Sequence, residues 1–339
     1  MSTLPVIGIT MGDPAGIGGE VIIKSLNQKS ITSQCRPIII GDAAYLKFLT
    51  QKFSLPLKIT VIDKIKDRSS LPSGAIPVVD LENLKTQKIK FGICNADYGK
   101  ASYEYILEGI KLASAGIVDA LVTAPINKES FFKAGIPYAG HTEVLAHMTK
   151  TKKIAMMLVG KKLRVVLATR HIPLKNVARE LTKEKILTAI ELAYNTGKYF
   201  NIPNPRIGVC GLNPHSGEGG TMGDEEIEII IPAIKKSKEA GINVSGLYAS
   251  DTIFHKAIKR QYDFIIAMYH DQGLIPLKTL YFDEGVNVTL GLPFVRTSPD
   301  HGTAYDIAGK GIASSKSMQE AIKLAVKMSR IQVRNKKIR

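Results

Sequence analysis

Short runs of β-branched residues alternate with helical patterns along the first half of the chain. Five of these runs are long enough for buried strands, at residues 5–10, 37–41, 58–62, 76–79 and 120–123. Residues 98–115 instead carry apolar side chains at 103, 106, 107, 110 and 113, which is a helical spacing. Strands that alternate with helices are typical of a parallel sheet. The pattern predicts an α/β fold.

The second half of the chain repeats this alternation. Further strands are expected there at residues 154–159, 163–168, 206–210, 244–248 and 264–268, and further helices at 183–199, 225–238 and 317–331. In the first half, residues 42–51 are also expected to form a helix. At 339 residues the chain is long for a single core. One two-lobed unit or two domains are therefore expected.

Charge and cysteine content narrow the class of protein. The net charge is +16, but the lysines are spread along the chain and no basic motif with interleaved aromatic residues occurs. A nucleic-acid-binding protein is therefore only a remote alternative. Cys35, Cys94 and Cys210 are too few and too far apart for a disulfide scaffold. With no signal peptide and no apolar stretch of about 18 residues, a soluble cytoplasmic protein with no membrane partner is expected.

The first strand runs into a glycine-rich turn, MGDPAGIG, and then into a helix. Such a turn favours anion binding, because the free N–H groups and the dipole of the helix face it. Val21 stands where the third glycine of a dinucleotide fingerprint would fall, and no Walker-type Gly-Lys-Ser/Thr occurs. A tight strand-to-helix connection without a ligand is the alternative interpretation.

Three histidines each follow a predicted strand. His171 comes after VVLAT, His215 after RIGVC and His270 after FIIAM. If these strands end at one edge of a sheet, the three imidazoles lie together although they are distant in sequence. Three neutral imidazoles suit Zn²⁺, Co²⁺ or a similar divalent ion. A structural role for any one histidine remains the alternative.

The stretch 267–309 concentrates polar residues that we expect at successive element ends: His270, Asp271, Lys278, Asn287, Arg296, Asp300, His301 and Asp306. Lysine, asparagine and arginine there suit an anionic substrate, and arginine offers a bidentate fork. Upstream, His141 and Thr142 begin a predicted helix and could cradle a phosphate or carboxylate, although capping alone would explain Thr142. The turn 300–309 combines small residues, which permit close approach, with Asp306, an acid suited to ribose hydroxyls or an adenine amine.

Six segments together resemble the 4-hydroxythreonine-4-phosphate dehydrogenase family of vitamin B6 synthesis, nearly from end to end: MGDPAGIG, GHTE, ATRHIP, GLNPHSGEGG, YHDQGLIPLK and DHGTAYDIAG. The last turn is also similar to the cofactor loop of isocitrate and isopropylmalate dehydrogenases. That likeness implies two α/β/α lobes with a cleft between them, one formed by residues 1–128 and 290–339 and the other by residues 129–289. Gly19 departs from the family pattern, where proline is expected.

The resemblance implies a role for each candidate residue. A divalent cation (Zn, Mg or Co) would be bound by His171, His215 and His270, and the phosphorylated substrate by His141, Thr142, Lys278, Asn287 and Arg296. NAD or NADP would be bound by Gly12, Asp13, Gly16, His301, Gly302, Thr303 and Asp306. The proton acceptor would be Asp251, Asp271 or Lys278, with Asp251 preferred.

The implied reaction is the NAD(P)-dependent oxidation of 4-phosphohydroxy-L-threonine at C3. Decarboxylation to 3-amino-2-oxopropyl phosphate would follow, as a step of pyridoxal 5'-phosphate biosynthesis. The resemblance further implies a homodimer with the active site at the subunit interface. Relatives that oxidise 4-phospho-threonate or 4-phospho-erythronate share most of these residues, so either compound is the alternative substrate.

Overall fold

The computed structural model describes residues 4–62, 68, 71–72, 74–84 and 89–337. Within them, the strands are β1 (Val6–Thr10), β2 (Arg36–Gly41), β3 (Ile59–Ile62), β4 (Ile76–Asp80), β5 (Ala120–Thr123), β6 (Ala155–Val159), β7 (Arg164–Leu167), β8 (Ile207–Cys210), β9 (Val244–Tyr248), β10 (Phe264–Ala267), β11 (Val286–Leu290) and β12 (Val295–Pro299). The predicted strands in both halves of the chain are confirmed.

The α-helices of the same residues are α1 (Gly18–Leu26), α2 (Lys29–Thr32), α3 (Ala43–Lys52), α4 (Ala96–Ser114), α5 (Lys128–Lys133), α6 (His141–Met148), α7 (Val177–Glu180), α8 (Lys183–Thr196), α9 (Ile231–Glu239), α10 (Ser250–Ile258), α11 (His270–Tyr281) and α12 (Lys316–Lys337). A π-helical turn, Glu226–Ile230, precedes α9. None of these helices combines the length and the apolar content needed to span a bilayer.

By its internal contacts the chain divides into two compact units. The first comprises the chain up to Lys152 together with Leu292–Val333, and the second contains Lys153–Gly291. The predicted α/β class is confirmed for both. The boundaries expected from the sequence, near residues 128 and 290, stay a prediction.

The sheet of the first unit is parallel throughout, in the order β3-β4-β2-β1-β5-β12. All five residues of β1 are buried, as expected for a strand covered on both faces. Strand β12 lies beside β5 with Arg296 opposite Leu121. Helix α4 begins at Ala96, directly after its N-cap Asn95. The Asn95 side chain accepts a hydrogen bond from the Asp97 N–H.

The second unit has the order β11-β6-β7-β10-β8-β9. Strands β7, β10, β8 and β9 are parallel neighbours, whereas β11, β6 and β7 pair in antiparallel fashion. Three strands that precede the candidate metal ligands, β7, β10 and β8, are thus adjacent. Their carboxyl ends meet at one edge of this sheet.

The stretch after His270 differs from the expectation that its polar residues mark element ends. Lys278 lies inside helix α11, and Asn287 and Arg296 lie within strands β11 and β12. Gly273 and Pro276 concealed the helix in the sequence, since both are poor helix residues. Packing explains why it forms: a Cβ at Gly273 would come within 2.8 Å of Val165, so the helix needs glycine to approach the sheet.

Candidate active site

Arg296 is a buried cation at the edge of the first unit's sheet. Its side chain is only 3% exposed, and its Nη2 donates a 2.5 Å hydrogen bond to the hydroxyl of Thr123 at the end of β5. Burial lowers the pKa of Arg296 to about 10, and the Glu143 carboxylate partly opposes this effect. The guanidinium therefore remains charged at neutral pH in a site that is largely shielded from water.

His141 adds a second polar group to the same site. It is the first residue of α6, and its Nε2 is inaccessible to solvent and has no hydrogen-bond partner. Burial, followed by the charge of Arg296, keeps the pKa of His141 well below its ordinary value. Gly140, the N-cap of α6, provides no side-chain cap, and the half-buried Thr142 follows His141. An anion placed here would meet an unpaired imidazole, a guanidinium and free helix N–H groups.

The histidines at the strand ends of the second unit are only partly assembled. Residues beyond β7 and β10 stay paired, with Thr169 N–H donating to the Met268 carbonyl at 3.1 Å. This pairing brings the rings of His171 and His270 to a centroid distance of 5.4 Å. His215 follows β8, the neighbour of β10, and its side chain is 66% exposed.

The donor set fits a divalent cation in its chemistry and in its strand order. His270 Nδ1 lies 2.7 Å from an Asp271 carboxylate oxygen, an arrangement that leaves Nε2 free to bind a metal. Over the described part of the chain, however, no three His, Cys, Asp or Glu side chains are arranged to hold an ion. Joint metal binding by His171, His215 and His270 stays a prediction.

Gln272 joins the loops that carry these histidines, and sequence reasoning missed it. Its Oε1 accepts a hydrogen bond from Met268 N–H at 2.6 Å. Its Nε2 donates to the Gly211 carbonyl and to the Ser250 hydroxyl, both at 2.8 Å. The side chain is 9% exposed, so one amide connects the ends of β10 and β8 with the start of α10. The only signal in the sequence was its place in HDQG, two residues after His270.

The loop that carries His215 has an unusual backbone. Residues 215–219 all have positive φ values, from 41° at Glu218 to 76° at Gly217. Non-glycine residues adopt this conformation only when their surroundings impose it. Buried Glu226 supplies part of that restraint, because its Oε1 accepts from the N–H groups of Leu212 and Asn213 at 2.8 and 2.7 Å. Sequence reasoning assigned this acid only to a helix N-terminus.

The expected cofactor residues fall into two groups within the first unit. The first group, which consists of Gly12, Asp13 and Gly16, is packed against other segments of the same unit. A Cβ at Gly12 would lie 2.3 Å from the Pro125 carbonyl oxygen, and Asp13 is fully buried. Burial raises the pKa of Asp13, and hydrogen bonds from Ala15 and Tyr305 act against this. The second group lies on the turn 301–306 and consists of His301, Gly302, Thr303 and Asp306. Direct cofactor contact by either group stays a prediction.

The remaining candidates belong to the second unit. Asp271 and Lys278 line, together with His270, an open depression of about 420 Å³ on one face of α11. Asn287 is half-buried on β11 opposite Leu158, and Asp251 is exposed in the first turn of α10. Of the three proposed proton acceptors, Asp271 and Lys278 therefore share a cavity with a candidate metal ligand.

Known proteins resemble this chain over nearly its whole length. A 4-hydroxythreonine-4-phosphate dehydrogenase of Geobacter metallireducens is 44% identical over 97% of this chain and 97% of its own. A D-threonate 4-phosphate dehydrogenase of Cupriavidus necator is also 44% identical, covering 96% and 98%. The crystal structure of the Klebsiella pneumoniae 4-hydroxythreonine-4-phosphate dehydrogenase matches with a TM-score of 0.87 and 40% identity, covering 97% and 99%.

The resemblance stated from the six sequence segments is thereby confirmed. Residues 33–325 match the family described as pyridoxal phosphate biosynthetic protein PdxA. This match covers far more than half of the 339 residues. The chain belongs to the PdxA family.

Proposed function

We propose that this dehydrogenase oxidises 4-phosphohydroxy-L-threonine at C3 with NAD or NADP as the acceptor, and that the product then loses CO₂. The anion site of the first unit carries this proposal. Arg296 is buried yet charged, and the nearby His141 Nε2 has no partner in the protein. The names of relatives at 40–44% identity, which all specify phosphorylated hydroxy acids, support the same substrate class.

The phosphate of the substrate is the group best suited to Arg296, His141 and Thr142. Guanidinium binds phosphate through two parallel hydrogen bonds, and the N-terminus of α6 adds N–H donors and a positive dipole. A phosphate would also favour protonation of His141, because the anion offsets the effect of burial. Lys278 and Asn287 of the second unit would contribute further donors to the substrate.

His171, His215 and His270 would hold a divalent cation, Zn, Co or Mg. When bound, such an ion acts as a Lewis acid on the hydroxyl that is oxidised and on the ketone that results. Asp271 orients His270 by accepting from its Nδ1. Exposed apolar side chains on α11 and just beyond it, Ile275 at 64% and Phe282 at 76%, support a homodimer contact beside these residues.

The oxidation breaks the C3–H bond, and the hydride passes to the nicotinamide. The hydroxyl proton passes to Asp251, Asp271 or Lys278, and C3 becomes a ketone. The bond between C2 and the carboxylate then breaks, CO₂ departs, and C2 takes up a proton to give 3-amino-2-oxopropyl phosphate. Lys278 can supply that proton if it has received the first one.

The alternative substrate is D-threonate 4-phosphate, since a relative with that name is as similar as one named for 4-hydroxythreonine 4-phosphate. The two compounds share the phosphate, the 3-hydroxyl and the carboxylate, and they differ in the amine or hydroxyl at C2. The phosphate site therefore serves both compounds equally. Discrimination must arise where C2 is bound.

A substrate panel tests the proposal. We would compare kcat/KM for 4-phosphohydroxy-L-threonine and D-threonate 4-phosphate, each with NAD and NADP. Each assay would be run with untreated protein, after chelation, and after addition of Zn²⁺, Co²⁺ or Mg²⁺. We expect at least a tenfold preference for the first compound and activity that chelation abolishes and a metal restores. Preference for D-threonate 4-phosphate would establish the alternative, and full activity in metal-stripped protein would exclude the metal role.

A further inference from the structure

Two segments of the first unit are fastened to each other at several points. One is the N-terminal segment, residues 11–24, which contains the glycine turn and most of α1. The other is the cofactor loop, residues 301–313, which contains HGTAYDIAG. The side-chain contacts between them join residues that are 287 to 293 positions apart in sequence. Their contacts explain what the conspicuous motif at the start of the chain does.

The first contact joins two side chains. The hydroxyl of Tyr305, in the cofactor loop, donates a hydrogen bond to Asp13 Oδ2 at 2.9 Å. The other oxygen of Asp13 accepts from the Ala15 N–H at 2.8 Å, and the carboxyl group is fully buried. Ser130 Oγ lies 3.4 Å from the Tyr305 hydroxyl. Asp13 thus uses both of its oxygens inside the protein.

The second contact is made by the backbone. Ile17 N–H donates to the Thr303 carbonyl at 3.0 Å. A Cβ at Gly16 would lie only 2.9 Å from the same carbonyl oxygen, so glycine is required for the segments to come this close. The glycine turn is therefore filled by the cofactor loop at this point.

The third contact is an ion pair that binds backbone groups. Glu20, 2% exposed, accepts from Ala313 N–H at 2.9 Å and from Gly311 N–H at 3.3 Å. Lys24 pairs with Glu20 at 2.7 Å and donates to the carbonyls of Gly311 and Ala313 at 2.7 and 2.9 Å. Two side chains of α1 thereby satisfy four peptide groups of the loop.

The opposite side of the cofactor loop is open. A Cβ added at Gly302 would meet no atom within 4 Å, and Asp306 is exposed. Between them Ala304 has a φ of 43°, a conformation that alanine adopts only under restraint. A loop that is fixed along one side and open along the other has the form of a preorganised binding surface.

We propose that Asp13, Glu20, Lys24 and Tyr305 are positioning residues, which hold residues 301–313 in the conformation in which residues 301–306 bind the nicotinamide nucleotide. In this arrangement Asp13 acts through Tyr305 and does not contact the nucleotide. The inference rests on the proposed function, because it assumes that this loop binds NAD or NADP.

The test compares two tyrosine variants. Tyr305→Phe keeps the ring and removes only the hydroxyl that reaches Asp13. Tyr105→Phe is the matched control: its hydroxyl donates to Asn83 Oδ1 at 2.7 Å in the same unit and has no hydrogen bond to the cofactor loop. The dissociation constants of NADH and NADPH would be measured by calorimetry. Hydrogen exchange of residues 301–313 would be followed by mass spectrometry in the absence of nucleotide.

We expect Tyr305→Phe to raise the dissociation constant of the preferred nucleotide about tenfold, as for the loss of one hydrogen bond to a carboxylate. Exchange in residues 301–313 should also accelerate, and the KM for the nucleotide should rise more than kcat falls. Tyr105→Phe should bind within about twofold of the unaltered protein.

Two negative results have different meanings. If the unaltered protein binds neither nucleotide, the proposed function fails, and this inference fails with it. If the unaltered protein binds a nucleotide and Tyr305→Phe binds it equally well with unchanged exchange, only the positioning role is overturned. An equal loss of affinity in Tyr305→Phe and Tyr105→Phe would also overturn it, since the effect would then be general destabilisation.

Discussion

The imidazole of His141, whose Nε2 is inaccessible to solvent, makes the stability of the protein depend on pH, and one substitution tests this. Burial, then the charge of Arg296, holds the pKa of His141 well below its ordinary value of 6.5. Below pH 6.5 the unfolded chain protonates this residue while the folded protein leaves it neutral. Because the unfolded state then binds more protons, the free energy of unfolding falls as the pH falls. The effect fades over about one pH unit above 6.5, where neither state binds the proton.

The size of this effect follows from proton linkage. One proton of difference changes the free energy of unfolding by about 1.4 kcal/mol per pH unit. Between pH 6.5 and pH 5, His141 is therefore expected to contribute a loss of up to about 2 kcal/mol. His141→Gln has no titrating ring and should lose correspondingly less stability over that range. His147→Gln, at an exposed position on the same helix, is the matched control.

Urea unfolding of the three proteins at pH 7 and pH 5 measures the effect, since titrations common to all of them cancel in the comparison. Inorganic phosphate should reduce the acid loss of the unaltered protein, because an anion beside His141 favours the protonated ring. It should have little influence on His141→Gln. If the unaltered protein and His141→Gln lose the same free energy between the two pH values, the account of a neutral, buried imidazole is wrong.

Three further substitutions test other parts of the site. Gln272→Leu removes three hydrogen bonds and takes from Met268 N–H its side-chain acceptor, although the Ser250 hydroxyl still donates to the Gly211 carbonyl. It should lower the free energy of unfolding in urea by roughly 3 kcal/mol, whereas Gln319→Leu, with one side-chain hydrogen bond to lose, should lower it by about 1 kcal/mol or less. Arg296→Lys removes the bidentate fork and should raise the KM for the phosphorylated substrate about tenfold or more in steady-state assays, with a smaller change in kcat. Glu226→Gln places an amide donor against the loop of residues 211–220, so limited proteolysis should cleave that loop about ten times faster. An unchanged cleavage rate would exclude the idea that Glu226 restrains the backbone of this loop.

The sequence predicted the strands and the ends that carry histidines, because buried parallel strands appear as short β-branched runs and polar residues follow them. Through family resemblance it also assigned His141 and Arg296 to one substrate site; the charge of Arg296 does act on His141 in the structure, and substrate binding stays a prediction. The sequence concealed α11, because Gly273 and Pro276 oppose a helix unless the adjacent sheet is considered. It also concealed Gln272, Glu226 and Glu20, whose partners are fixed only after folding.

The contacts between α1 and residues 301–313 have a consequence for how the chain is synthesised and folds. The first unit is discontinuous in sequence, since residues 153–291 are synthesised before β12 can pair with β5. At typical translation rates this interval lasts roughly 7 to 30 seconds. During it the edge of β5 is unpaired, and Glu20 lacks the peptide groups of Gly311 and Ala313 that it will finally bind. A nascent chain thus exposes an open strand edge on its oldest part, which is the surface a chaperone would be expected to protect.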